Sequence, residues 1–294
     1  LFQNRNIKYI GVDASPFMAS LARKNNVKTI VGLFDAKIVE KIKPTEIYHL
    51  AAQSYLDYSF RDEFSTLNTN INGTHYLLSA IRDFSPKSKF YFAGSSEMFG
   101  KVLSVPQSEK TPFHPRSSYG ISKVTGHDLT RNYREAYNVF ACTGILFNHE
   151  SPRRGFEFVT RKISHSVARI KLGLQKDLKL GNLNALRDWG HAKDYVEAMW
   201  LMLQQRKPED FVIGTGRQHS VKEFAKVAFS IVGLNYKDYV KVDRKLFRPS
   251  EVDTLLGNCS KAKKKLKWKP KVSFSNLVKD MVESDLKFVE KSGY

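Results

Sequence analysis

The chain has 294 residues, 41% of them hydrophobic, enough for one large or two intimate domains around a substantial core. Its formal net charge is +19 and it holds only two cysteines, Cys142 and Cys259, without metal-ligand spacing. No apolar run approaches a membrane span and no charged-then-apolar leader opens the sequence, so membrane insertion, a disulfide scaffold and a zinc ribbon are not expected, and a cytoplasmic location is.

Strand and helix signals alternate through the first half. Lys8 to Val12 reads as a buried strand ending at Asp13. A helix follows over 16–25, with Ser15 as cap and Pro16 in the first turn. Thr29 to Val31 is a short strand, Ala36 to Ile42 a helix, and Glu46 to Leu50 a strand running into the small turn Ala51-Ala52. A long helix is expected over about 63–83, with Asn72-Gly73-Thr74 inside it. Lys89 to Ala93 is the next strand, and Gly94-Ser95-Ser96-Glu97 leaves its carboxyl end. Ser118 to Tyr137 is helical, and Phe140 to Phe147 is an apolar strand. This alternation predicts an α/β fold: a Rossmann-type, doubly wound parallel sheet with ligands at the strands' carboxyl ends.

The second half changes character. Helices are expected over 159–173, 191–205, 221–232 and 274–290, with short strands at 178–181 and 210–213. The densest positive run, Lys261 to Lys271, reads as a helix end and turn whose lysines face water. No zinc finger, aromatic RNA-binding motif or Gly-x-x-Gly clamp accompanies the charge, so a nucleic-acid partner is not expected.

Tyr119 and Lys123 form a Tyr-x-x-x-Lys element just downstream of Ser95-Ser96-Glu97. Residues four apart share a helix face, so the Lys123 ammonium is expected one turn from the Tyr119 phenol. A nearby cation favours phenolate, which would let Tyr119 exchange a proton with a sugar hydroxyl near neutral pH. Glu97 offers a second proton-transfer group.

At these residues the chain resembles the extended short-chain dehydrogenase/reductase superfamily, and within it the GDP-mannose 4,6-dehydratase family. The resemblance runs from about Lys43 to the end. It is carried by LAAQS at 50–54, GSSEMFG at 94–100, PRSSYGISK at 115–123, ILFNHESPRRG at 145–155, FVTRKI at 158–163, the run at 180–204, and RPSEVDTLLGN at 248–258. It implies an internal redox elimination on GDP-mannose that yields GDP-4-dehydro-6-deoxy-mannose, a step towards GDP-fucose and other deoxysugars. By resemblance Tyr119 is the base on the C-4 hydroxyl, with Lys123 beside it. Ser95, where the family commonly has Thr, hydrogen-bonds O-4. NADP takes the C-4 hydride and returns it to C-6, while Glu97 moves the C-5 proton to the departing C-6 hydroxyl.

Other implied roles follow position by position. Leu50, Ala51, Ala52, Gln53 and Ser54 match the turn along the cofactor, and Ser65 stands where the family usually places a Tyr that contacts it. Lys123, His149 and Arg154 match further cofactor-contacting positions. Asn148, Lys162, Arg187, Arg248 and Glu251 match positions that hold the GDP-sugar. Residues 1–155 and about 189–215 are expected to bind the dinucleotide, and about 156–188 and 216–294 the GDP-sugar, in a homo-oligomer, dimer or tetramer.

The chain also departs from the family pattern. No Gly-x-x-Gly-x-x-Gly turn occurs near Leu1. The expectation is a fragment lacking the fold's first strand and helix; the alternative is an impaired protein that only binds nucleotide-sugar. Asp13 stands at a strand end where NADP-selective relatives typically place Arg. A carboxylate there accepts from a ribose 2′-hydroxyl and repels a 2′-phosphate, which makes NAD the alternative cofactor. The same chemistry on another GDP-sugar, such as a GDP-heptose, is the alternative substrate.

Overall fold

The computed structural model describes residues 8–247, 252 and 254–293. In the first half the elements are β1 (Gly11–Asp13), α1 (Pro16–Lys24), β2 (Thr29–Val31), α2 (Ala36–Ile42), β3 (Glu46–His49), α3 (Leu56–Ser59), α4 (Glu63–Leu67), α5 (Gly73–Phe84), β4 (Lys89–Ser95), α6 (Ser118–Tyr137) and β5 (Ala141–Leu146). The second half holds β6 (Asn148–Glu150), α7 (Val159–Lys171), β7 (Leu178–Leu180), β8 (Leu186–Arg187), β9 (Trp189–His191), α8 (Ala192–Leu203) and β10 (Phe211–Ile213). It continues with β11 (His219–Ser220), α9 (Val221–Ile231), α10 (Tyr236–Tyr239), β12 (Val240–Val242), α11 (Ser260–Lys265) and α12 (Phe274–Ser292).

The central sheet is parallel, in the order β10-β5-β4-β3. Register pairs Glu46 with Lys89, Phe90 with Ala141, and Phe211 with Gly144. The carboxyl ends at His49, Ser95, Leu146 and Ile213 therefore share one edge. All six residues of β5 are buried, as expected of a parallel strand covered on both faces. The sheet expected from the sequence is divided among the described residues: β1 and β2 pair with each other, in parallel, and not with β3. Beside the central sheet, α2 packs against α5.

Of the two larger cores, one includes residues of the central sheet and the other lies outside it. Tyr91, Ile145, Phe147, Tyr195 and Phe211 form one, and Val252, Leu255, Leu266 and Trp268 from the tail pack into it. The other joins α7, β7, α9 and α12 through Ile163, Leu178, Phe224 and Met281. Burying such side chains stabilises by about 1.5–3 kcal/mol each, so both cores are strongly held. The lysine run is less free than expected. Ala262, Leu266 and Trp268 bury one face of it, Lys261 and Lys265 pair with Glu209, and Lys271 pairs with Glu197.

The helix expected over 63–83 is interrupted. Asn68–Asn72 widen into a π-helical turn between α4 and α5. The cause is Asn70, which is buried and faces away from its own helix. Its Nδ2 donates to Gln53 O at 3.1 Å and Ser122 Oγ at 2.9 Å, and its Oδ1 accepts from Gln53 N at 2.8 Å. Such turns recur at functional sites. Here it clamps the segment after β3 to α6.

Candidate active site

A cavity of about 600 Å³ opens at the carboxyl edge of the sheet. Ser95 ends β4, and Glu97 follows on a short 3-10 turn, Ser96–Met98. Tyr119 lies in the first turn of α6, which Ser117 caps by accepting from Gly120 N at 3.0 Å. Gly120 lets this helix begin against the Glu97 turn: a Cβ there would lie 2.8 Å from Glu97 O. Gly126 lets the next turns rest on Phe92, whose ring carbons would meet a Cβ at 2.3 Å. All four expected catalytic side chains, Ser95, Glu97, Tyr119 and Lys123, line the cavity.

The electrostatics correct one expectation. Lys123 is 4% exposed and donates to Ala93 O at 2.9 Å, with Nζ 5.7 Å from the centre of the Tyr119 ring. Burial lowers its pKa to about 8. Tyr119 keeps part of its surface open to the cavity, yet its phenol is enclosed, and burial raises its pKa instead of bringing it towards neutrality. The Ser95 hydrogen bond works against that rise, the Glu97 charge adds to it, and the cation that opposes it is Arg154. The sequence pattern put the helpful charge on Lys123. Instead, desolvation is the largest influence on the Tyr119 phenol, and the cation acting on it is Arg154.

Arg154 pairs with Glu150 at 3.2 Å and lies over the Phe158 ring at 3.5 Å. Glu150 is 2% exposed; burial raises its pKa, while Arg154 and a 2.7 Å bond from Thr160 Oγ1 oppose the rise. His149 donates from Nδ1 to Phe147 O at 2.9 Å and stacks on Tyr195. Burial lowers its pKa to about 4, so the ring is neutral. That places Nε2 as its acceptor nitrogen.

The cavity also takes in Leu50, Ala52, Ser54, Asn148, Lys162 and Arg187 among the expected residues. Burial lowers the Lys162 pKa, with the Asp243 charge opposing. Arg187 is 7% exposed and donates to Leu186 O at 2.9 Å. Four expected residues stand off the cavity wall. Gln53 is held by Asn70, and Ala51 is exposed. Ser65 is exposed on α4, its N–H capped by Asp62 Oδ1 at 2.9 Å. Asp13 ends β1 and accepts from Ser15 N at 2.8 Å. Arg248 and Glu251 lie outside the described residues.

Sequence reasoning missed Glu150, Asn70 and Tyr55. Glu150 and Tyr55 line the cavity, and Asn70 holds its rim. An Asn-Ile-Asn-Gly run inside a helical pattern was the available signal for Asn70.

The chain's residues 34–281 match the family model described as GDP-mannose 4,6 dehydratase. GDP-mannose 4,6 dehydratase 2 of Arabidopsis thaliana is 51% identical, over 99% of this chain and 79% of the relative. GDP-mannose 4,6 dehydratase of Homo sapiens is 52% identical, over 86% and 73%. Among solved structures, RMD from Pseudomonas aeruginosa complexed with NADPH superposes with a TM-score of 0.83 at 20% identity, over 96% of this chain and 100% of that one. The dTDP-glucose 4,6-dehydratase from Bacillus anthracis in complex with NAD gives 0.82 at 21% identity, over 98% and 90%. The two structures share the fold.

Proposed function

The chain belongs to the GDP-mannose 4,6-dehydratase family, and we propose that Ser95, Glu97, Tyr119 and Lys123 carry out that dehydration in the cavity at the sheet edge. It is a nicotinamide-dependent hydro-lyase that converts GDP-mannose to GDP-4-dehydro-6-deoxy-mannose. The observation that supports the residue roles best is the convergence of the Tyr119 phenol, the Glu97 carboxylate and the buried Lys123 on a single cavity.

The residues present fit a nicotinamide. Asn148 Oδ1 is buried in the cavity lining with no hydrogen-bond partner among the described residues, which leaves an acceptor for a bound group, and the small Ala52 and Ser54 line the same cavity. Lys123, His149 and Arg154 would hold the cofactor, and Asn148, Lys162 and Arg187 the GDP-sugar. Bound there, the cofactor supplies reversible hydride storage. The protein's own part is proton movement and orientation. Tyr119 takes the proton of the C-4 hydroxyl, with Ser95 fixing that oxygen. The C-4 ketone acidifies C-5, and Glu97 accepts the C-5 proton and returns it to the leaving C-6 hydroxyl. One carboxylate serves both steps because it first accepts and then donates. Arg and Lys suit the diphosphate, the former through its fork geometry.

The cofactor we propose is NADP, and Asp13 at the end of β1 supports NAD as the second reading. Incubating the chain with GDP-mannose and either dinucleotide tests both. A 4-keto-6-deoxy product supports the function, its absence with both cofactors opposes it, and the lower KM identifies the cofactor. A homo-oligomer, dimer or tetramer, goes with this proposal, and sedimentation in solution tests it.

A further inference from the structure

The turn that carries Arg154 is tied to two helices. Arg154 N donates to Ser151 O at 3.0 Å, and Arg153 N to Ser151 Oγ at 3.2 Å, which closes the turn between β6 and α7. Arg161, in the first turn of α7, reaches back to it. One guanidinium nitrogen, Nη1, donates to the carbonyls of Pro152 and of Arg154, the latter at 3.2 Å. The other, Nη2, meets Asp285 Oδ1 at 2.7 Å. Asp285 belongs to α12, is 0% exposed, and accepts from Ser164 Oγ at 2.6 Å through its second oxygen. The guanidinium also lies over the Phe156 ring at 4.5 Å.

A pair this deeply buried is a poor source of net stability, because desolvation offsets the attraction. What it provides is geometry. A planar fork with fixed donors can span two carbonyls and a carboxylate, whereas a single ammonium cannot.

We propose that Arg161 and Asp285 are positioning residues for the reaction: they fix the turn at 151–155 so that Arg154 faces the cavity beside Tyr119. This rests on the reading of Tyr119 as the base. The groups that face Tyr119 are Ser95 and Glu97 from the end of β4, Lys123 from α6, and Arg154 from the turn. Arg154 has Glu150 as its ion-pair partner, with His149 and Glu157 on the same wall. The charge of His165 bears on Asp285. Among the groups around Tyr119, Arg154 is the one held by Arg161. Releasing the turn takes a cation from the phenol and makes it harder to ionise.

The test is the pH profile of kcat/KM, which reports ionisations of the free enzyme, at saturating cofactor. Arg161→Lys keeps a charge opposite Asp285 but loses the fork. Its ascending limb is expected to move up by about one pH unit, and so is that of Arg154→Met. The double variant is expected to move no further than either single one, as for two residues acting through one contact. An Arg161→Lys limb superimposable on wild type, with Arg154→Met shifted, overturns the proposal; so does an unshifted Arg154→Met. If Arg161→Lys does not fold, Ser164→Ala removes one bond from Asp285 and leaves every charge in place. A smaller shift in the same direction supports the proposal, and no shift overturns it. Tyr119→Phe separates the two readings: wild-type turnover there rejects the base assignment itself.

Discussion

Replacing Gly120 by Ala perturbs the geometry of the site without touching any reacting group. The new Cβ would stand 2.8 Å from Glu97 O, 3.1 Å from Pro115 Cβ and 3.3 Å from Ser117 Oγ, while ordinary contact begins at 3.4 Å. The shortfall against Glu97 is about 0.6 Å, and its partner is backbone, with no flexible end to yield. The start of α6 must therefore move away from the Glu97 turn, taking Tyr119 with it. A misplacement of about 1 Å costs on the order of 100-fold in rate, so roughly half of that predicts about a 10-fold fall in kcat. Stability changes less. Crowding costs about 1–3 kcal/mol, and replacing a helical glycine returns about 0.5–1 kcal/mol. Steady-state kinetics and thermal unfolding on the same preparation separate the two effects. Gly73→Ala is the control, since nothing lies within 4 Å of its Cβ position. It should gain about 0.5–1 kcal/mol and keep its kcat. Wild-type kcat in Gly120→Ala would refute the claim that the approach of α6 to the turn sets the reacting geometry.

Acid should unfold the protein through two buried histidines. Burial lowers the pKa of His49 to about 3 and of His149 to about 4, so their stabilisation is complete above their ordinary value and is lost as pH falls below it. Each contributes a slope of about 1.4 kcal/mol per pH unit in that window. Urea unfolding between about pH 7 and pH 4.5 should show a shallower acid slope for His49→Gln, and an unchanged slope would contradict the assignment. Arg134 forms a bidentate pair with Asp210 at 2.9 Å, and Asp210 also accepts from Thr143 N at 2.7 Å. Arg134→Met should lose about 2–4 kcal/mol of stability by leaving the carboxylate unpaired. This pair lies at the amino ends of β5 and β10, so kcat should not change, and a change in kcat would contradict its separation from the cavity.

Much of the fold was legible because the chain marks its own helix ends. Ser15 with Pro16, Asp35, Ser117 and Ser273 all cap the helices that follow them. The strand from Lys89 and the helix 118–137 gave the main sheet and the Tyr119 face directly. Strands β6, β8, β9 and β11 were not legible, since none has the short apolar run that marks the equally short β2 and β10, and β12 was missed although it alternates as β7 does. The π-helical turn was hidden too, because its cause is a set of bonds from Asn70 to Gln53 and to Ser122, 52 residues away. The same reason explains the cation beside Tyr119. Lys123 is four residues away in sequence and was found by spacing, whereas Arg154 reaches the site through a turn held from α7 and α12.

Single-turnover reaction of the Glu97→Gln and Tyr119→Phe variants with GDP-mannose tests the central claim most directly, with reduced nicotinamide followed by fluorescence. Glu97→Gln should build up reduced nicotinamide and release no 6-deoxy product, because oxidation proceeds and elimination does not. Tyr119→Phe should show almost no reduced nicotinamide. Wild-type product formation by either variant would contradict the division of proton transfer between this phenol and this carboxylate.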